Sequence, residues 1–210
     1  MSADFASTQL SHHFLIAMPG LEDPTFAKSV VYVCEHSERG AMGLIINKPG
    51  DLSLKHLFEK VELPLQRQDL LQCNVLHGGP VQTERGFVLH DPMLEKDSVD
   101  SENSNTEAVA TPNSIYASTL SVPGGLAMTT SKDVLEALAN GSGPRRVVVT
   151  LGYASWGEGQ LESEIGENSW LTVPADPAVI FDTPIEQRYD KALSLLGLQA
   201  WMLSSEAGHA

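Results

Sequence analysis

The sequence predicts an α/β fold of the α+β kind, a mixed and largely antiparallel sheet flanked by helices in three layers. Three observations predict it. A β-branched run at Ser29–His36 is followed after the short Arg39-Gly40 turn by a second strand, Ala41–Asn47, which is the pattern of a hairpin. Apolar residues at helical spacing, such as Leu54, Leu57 and Phe58, mark short helices with one face for a sheet. The stretch Arg145–Ala175, RRVVVTLGYASWGEGQLESEIGENSWLTVPA, reads as strand, glycine turn, helix and strand.

That last stretch organises the rest. Val147–Thr150 is an unbroken β-branched run, suited to a strand buried on both faces. Gly152 is expected to break it. Ser155 with Glu158 three residues on has the spacing of a capping box for the helix that follows. Leu161 and Ile165 give that helix an apolar stripe, Gly166 and Asn168 end it, and Trp170–Val173 is a second strand.

Along the chain, Phe14–Ala17 is a short strand. Ser29–His36 alternates so that Val30, Tyr32, Cys34 and His36 share one face. Arg39-Gly40 turns it into Ala41–Asn47, an antiparallel hairpin. Ser53–Glu59 is a helix; Val75–His77 and Gly86–His90 are strands around Gly78-Gly79-Pro80. Ser114–Thr119 and Leu126–Thr130 form a hairpin, and Ser131 or Thr130 caps a helix to Ala139 that Gly141 terminates. Val179–Phe181 reads as a strand, and Thr183-Pro184 opens a final helix to Leu196. The acidic, Ser/Asn-rich segment 95–112 reads as a mobile insertion loop within a single domain spanning 1–210.

Charge excludes function classes. There are 13 basic residues against 27 acidic, net −14, and only Arg145-Arg146 are adjacent. Nucleic-acid affinity comes largely from Lys and Arg neutralising phosphates, so direct binding is disfavoured, as is an anionic membrane surface. The N-terminus has no cationic stretch or long apolar run, so neither a signal peptide nor a span is expected. Two cysteines make no disulfide framework, which suits a cytoplasmic location.

Cys34, His36, His77 and His90 lack any metal-binding spacing, and no metal or cofactor is expected. Cys34 reads as a small buried hydrophobe. Glu162, Glu164 and Glu167 read as the solvated face of a helix. Tyr153-Ala154-Ser155-Trp156-Gly157 matches a nucleophile elbow poorly, because Tyr153 stands where that motif has glycine. The glycine turn has two readings: a ligand site at a helix start, or a tight turn holding a helix on a sheet. As a ligand site it would use Ser155, Gly157 and Gln160, with Asn47, Arg85 and His90 as neighbours.

The segments FLIAMP (Phe14–Pro19), GLIINKP (Gly43–Pro49), GGPV (Gly78–Val81), RGFVLH (Arg85–His90), LGYASWGEGQLESEI (Leu151–Ile165) and NSWLTVPAD (Asn168–Asp176) run in order along nearly the whole chain. On them the chain resembles the bacterial YqgE/AlgH family. Ser155 departs from that pattern, which has glycine there, and the 95–112 loop is longer than the family's. The resemblance implies a bifurcated mixed sheet, a cytoplasmic protein of Gram-negative-type bacteria, and a link to the control of alginate synthesis, for which members are often labelled transcriptional regulators. It carries over no catalytic residue. The expected function is therefore a non-enzymatic regulatory or binding protein acting through a protein partner or a small anionic ligand. The alternative is a hydrolase or phosphate-ester-binding enzyme with its site at 152–160.

Overall fold

A computed structural model describes residues 9–93 and 115–203. The predicted 95–112 loop lies outside them. Among the described residues, ten strands form one sheet in the order β10-β1-β2-β3-β9-β6-β8-β7, with β4 and β5 on a side branch. The N-terminal part holds β1 (His13–Ala17), β2 (Val30–Ser37), β3 (Gly40–Ile45), β4 (Pro49–Ser53), helix α1 (Leu54–Lys60), β5 (Asn74–His77) and β6 (Val81–His90). The remainder holds β7 (Thr119–Val122), β8 (Leu126–Thr129), α2 (Asp133–Ala139), β9 (Val147–Trp156), α3 (Gln160–Gly166), β10 (Trp170–Pro174), α4 (Pro177–Phe181) and α5 (Arg188–Leu195).

β9 is the seam. Along one edge it meets β6, antiparallel. Along the other it meets two strands in succession: β5, parallel, at Thr150 and Leu151, then β3, antiparallel, at Ala154–Trp156. The sheet forks between those pairings, at Gly152. Gly152 therefore does not end the strand. It sits at φ +74°, and an added Cβ would lie 2.5 Å from the Gly79 carbonyl oxygen. It also shifts the side-chain alternation. Val148 and Tyr153 pack toward α4 and α5, whereas Val149, Leu151, Ala154 and Trp156 pack toward the other helices.

Helices cover both faces. Phe14, Tyr32, Leu44 and Leu89 pack with Val179, Ile180, Ala192 and Leu193 of α4 and α5. Leu15, Val31, Val33 and Ile45 pack with Leu161 of α3 and with Trp156 and Trp170. Val75, Val88 and Val149 pack under Leu54 and Phe58 of α1 and Val134 and Leu138 of α2. None of the described helices is long and apolar enough to cross a membrane.

Local chemistry corrects several expectations. β2 carries a bulge between Val33 and Glu35. The extra residue puts His36 opposite Ala41, on the α3 side, away from Cys34 on the α5 side. Val179–Phe181 is helical rather than extended. Asp176 accepts a hydrogen bond from the Ala178 N–H and Pro177 starts the turn, so a good N-terminus overrides β-branched propensity. Ser131 does not cap α2, since its hydroxyl is engaged with Ala117 O and Asp133 and the N-cap is Lys132. A 3-10 turn over Ile185–Gln187 precedes α5, so the last helix starts later than Pro184. The first strand of the β7–β8 hairpin begins at Thr119, later than Ser114.

His90 is wholly buried in β6. Its Nδ1 donates to Asp91 O at 2.6 Å, so Nε2 is free to accept from the Thr129 hydroxyl at 2.8 Å. Burial drives its pKa down, and His12 is lowered for the same reason. Unfolded, both histidines take up a proton near pH 6.5; folded, they do so only at lower pH. The unfolded chain thus binds more protons in that window. Stability is complete above about pH 6.5 and is lost as the pH falls toward the folded values. The urea midpoint is expected to drop between about pH 7.5 and 5, and His90→Gln to make that drop shallower, leaving the His12 part. An unchanged slope would remove His90 as a source.

Candidate functional site

The motif-rich segment after Gly152 builds one corner of the molecule. β9 stays extended through Trp156, so Ser155 is an exposed strand residue opposite Met42 and not a helix cap. Gly159, at φ +69°, starts α3 instead, with no side-chain cap. Half of a capping box survives in another place: Gln160 Oε1 accepts from the Gly157 N–H at 3.0 Å. Gln160 Nε2 then donates to Glu164 Oε1 at 2.9 Å. Glu164 Oε2 accepts from both buried indoles, Trp156 Nε1 at 2.9 Å and Trp170 Nε1 at 2.8 Å. Phe26 packs edge-on against Trp170, which stands edge-on to Trp156. One carboxylate thus ties α3 to two strands.

Beside this corner, the β2–β3 turn and the start of α3 enclose a cleft of about 560 Å³ lined by Gln9, His36, Glu38, Glu158, Gly159 and Glu162. His36 forms its floor. The Leu10 N–H donates to His36 Nδ1 at 3.1 Å, which makes Nδ1 an acceptor and places the ring proton on Nε2. Nε2–H then donates to Glu162 Oε1 at 2.8 Å. Both ring nitrogens are engaged, so His36 holds no spare lone pair for abstracting a proton. The exposed carboxylates of Glu38, Glu158 and Glu162 make the cleft a place for positive charge.

The residues proposed from sequence do not converge. Ser155, Gly157 and Gln160 are near one another by chain proximity. His90 pairs with Val147 at the opposite end of β9. At roughly 3.3 Å per residue, the eight positions from Val147 to Ser155 span about 26 Å. Asn47 holds the start of β2, accepting from the Val30 N–H at 2.7 Å and donating to Lys28 O at 2.9 Å. Arg85 lies where β6 bows out between Val81 and Gly86; it donates to the Thr130 hydroxyl at 3.0 Å. Cys34 and His36 face opposite sides of the sheet, and burial pushes the Cys34 thiol up to about 12, so it is not a thiolate nucleophile.

Sequence reasoning missed two groups. Glu162 and Glu164 are partnered, one with His36 and one with the tryptophans, and are not a merely solvated face. Three tryptophan- and glutamate-bearing positions at i, i+8 and i+14 from Trp156 gave a signal only in three dimensions. Arg188, expected simply as a residue of the last helix, is buried at 6 % exposure. No periodicity in α5 singles it out.

Comparison with known proteins agrees with this architecture. A UPF0301 protein of Polaromonas sp. (strain JS666) is 67% identical over 210 residues, covering all of both chains. One from Paracidovorax citrulli is 68% identical over 213 residues, again over all of both. The solution structure of the AlgH protein from Pseudomonas aeruginosa superposes with a TM-score of 0.70 at 45% identity, covering 99% of this chain and 100% of that one. An X-ray structure of a Corynebacterium diphtheriae protein shares the fold, with a TM-score of 0.63 at 20% identity over 88% of this chain and 85% of that one. The AlgH-like family model matches residues 14–201, and with full-length relatives at this identity the chain belongs to the AlgH-like family.

Proposed function

We propose that this protein is a non-enzymatic regulatory binding protein that acts through a basic segment of a protein partner and does not itself hold DNA. The observation that carries the reading is the cleft over His36, walled by Glu38, Glu158 and Glu162 in a chain of net charge −14. A lysine or arginine entering it meets carboxylates at the mouth and a fixed imidazole–carboxylate pair at the floor. The same charges oppose a phosphate ester at the glycine turn, where the Gly157 N–H is already taken by Gln160. The hydrolase reading has little support beside this, since both nitrogens of His36 are engaged and Ser155 lies on an exposed strand position. Any role in transcription would then be indirect, as the family resemblance and the charge together suggest.

The test is a ¹⁵N-resolved NMR titration with short arginine- and lysine-rich peptides, alongside a duplex DNA of promoter length. The peptides are expected to move the resonances of His36, Gly159 and Glu162, and Glu158→Lys with Glu162→Lys to weaken them by about tenfold or more. The complex should weaken further as salt is raised. A sub-micromolar DNA complex near 0.15 M salt, or peptide shifts that ignore the charge reversal, would overturn the reading.

A further inference from the structure

Arg188 is a buried cation whose acceptors are neutral. Its Nε donates to Thr183 O at 3.0 Å and its Nη1 to Ile46 O. A guanidinium has five N–H donors, so part of the fork is left without a protein acceptor among the described residues. Other arginines are treated differently here: Arg67 pairs with Asp69 and Arg146 with Asp91. Arg188 has no carboxylate within ion-pair distance among the described residues. Burial lowers its pKa to about 10, which still leaves it charged at neutral pH. A desolvated charge without a counter-charge is costly, and partial neutralisation by carbonyl dipoles does not remove that cost.

Arg188 lines a cleft of about 270 Å³ between the start of β9, β5 and the turn before α5. Its other walls are mostly apolar, among them Leu76, Val148, Phe181 and Ile185, with Gln72, Cys73, Asn74 and Thr183 as the polar part of the lining. One guanidinium set in mostly apolar walls matches one negative charge on an apolar body. A carboxylate suits it better than a phosphate, because it brings a single charge to a single cation and leaves no second charge to be desolvated. The size suits a fragment-sized acid.

We propose that the Arg188 cleft is a binding site for a small apolar carboxylic acid, its carboxylate on the guanidinium and its hydrocarbon body against Val148, Phe181 and Ile185. This site is separate from the acidic cleft over His36, and neither proposal depends on the other.

Benzoate, the neutral isostere benzamide and inorganic phosphate are the probes, with the whole chain titrated by NMR or calorimetry. Benzoate is expected to saturate, with benzamide and phosphate weaker by about tenfold or more. Arg188→Met keeps the aliphatic stem and removes the charge, and should abolish the preference for benzoate over benzamide. Should that variant fail to fold, Ile185→Trp fills the cleft with Arg188 in place and is expected to block benzoate. A second readout is the alkylation of Cys73 by iodoacetamide, which benzoate should slow, with buried Cys34 as the unreactive control. Benzamide or phosphate binding as tightly as benzoate, or benzoate binding unchanged in folded Ile185→Trp, overturns the proposal.

Discussion

Gly79→Ala is expected to destabilise the protein by more than about 4 kcal/mol, a loss large enough to prevent folding in a domain of ordinary stability. Gly78 and Gly79 lie where the β5 branch crosses the seam strand. The Gly78 N–H donates to Leu151 O and its carbonyl accepts from the Ile45 N–H, so it ties the end of the β5 arm to the seam and to the β3 arm. Gly79 follows at φ +152°, and a Cβ there would sit 2.2 Å from the Tyr153 carbonyl carbon and 2.4 Å from the Ala154 nitrogen. Both are backbone atoms of a buried strand and cannot rotate aside. The fork would have to open, exposing the packing of Leu76, Phe87 and Tyr153. Gly157→Ala is the control. The nearest atom to its added Cβ is Gln160 Oε1 at 3.9 Å, and it should change stability by less than about 1 kcal/mol. Urea unfolding followed by tryptophan fluorescence separates the two; a Gly79→Ala protein with a wild-type midpoint would show that the arms are not rigidly joined.

Glu164→Ala is expected to cost about 2–6 kcal/mol, because it leaves two buried indole N–H groups with no acceptor at roughly 1–3 kcal/mol each. Glu164→Gln should cost about 1–2 kcal/mol. Its amide oxygen can still accept from Trp156 and Trp170, but its NH₂ then faces the Gln160 NH₂ donor. In a chain of this length each kcal/mol moves the melting temperature by about 2–4 °C, so Glu164→Ala should melt roughly 4–24 °C lower. Double replacement of both tryptophans by phenylalanine removes the orphaned donors and should reduce the further cost of Glu164→Ala. Strict additivity would argue against the shared-acceptor arrangement.

Much of the sheet was legible because its signals are local. The β2–β3 hairpin follows from the β-branched run at Ser29–His36 and the short Arg39-Gly40 connection to Ala41–Asn47. The seam strand follows from Val147–Thr150, and α1 from Leu54, Leu57 and Phe58 at helical spacing. What failed was alternation across irregularities. A period of two carries no warning that Cys34 is a bulge or that Gly152 shifts the register, and each shift moves every later side chain to the other face. The helix at Pro177 had a signal in the Asp176-Pro177 pair, which was outweighed by the β-branched look of Val179 and Ile180. The two clefts were not legible at all. Arg188 reaches Ile46, and His36 reaches Glu162, across 142 and 126 residues of chain. Such pairings are products of topology, with no trace in spacing.

The seam also sets a timetable. β3 gains its second neighbour only when Ala154–Trp156 exist, and these are made roughly 110 residues after Gly43, on the order of ten seconds at about 5–20 residues per second. Until then the β1–β3 segment leaves the ribosome with an unpaired edge and with Leu15, Val31, Val33 and Ile45 lacking their α3 cover. Nascent chains stopped before residue 147 should therefore hold the chaperone and protease attention that chains stopped well after Pro174 escape.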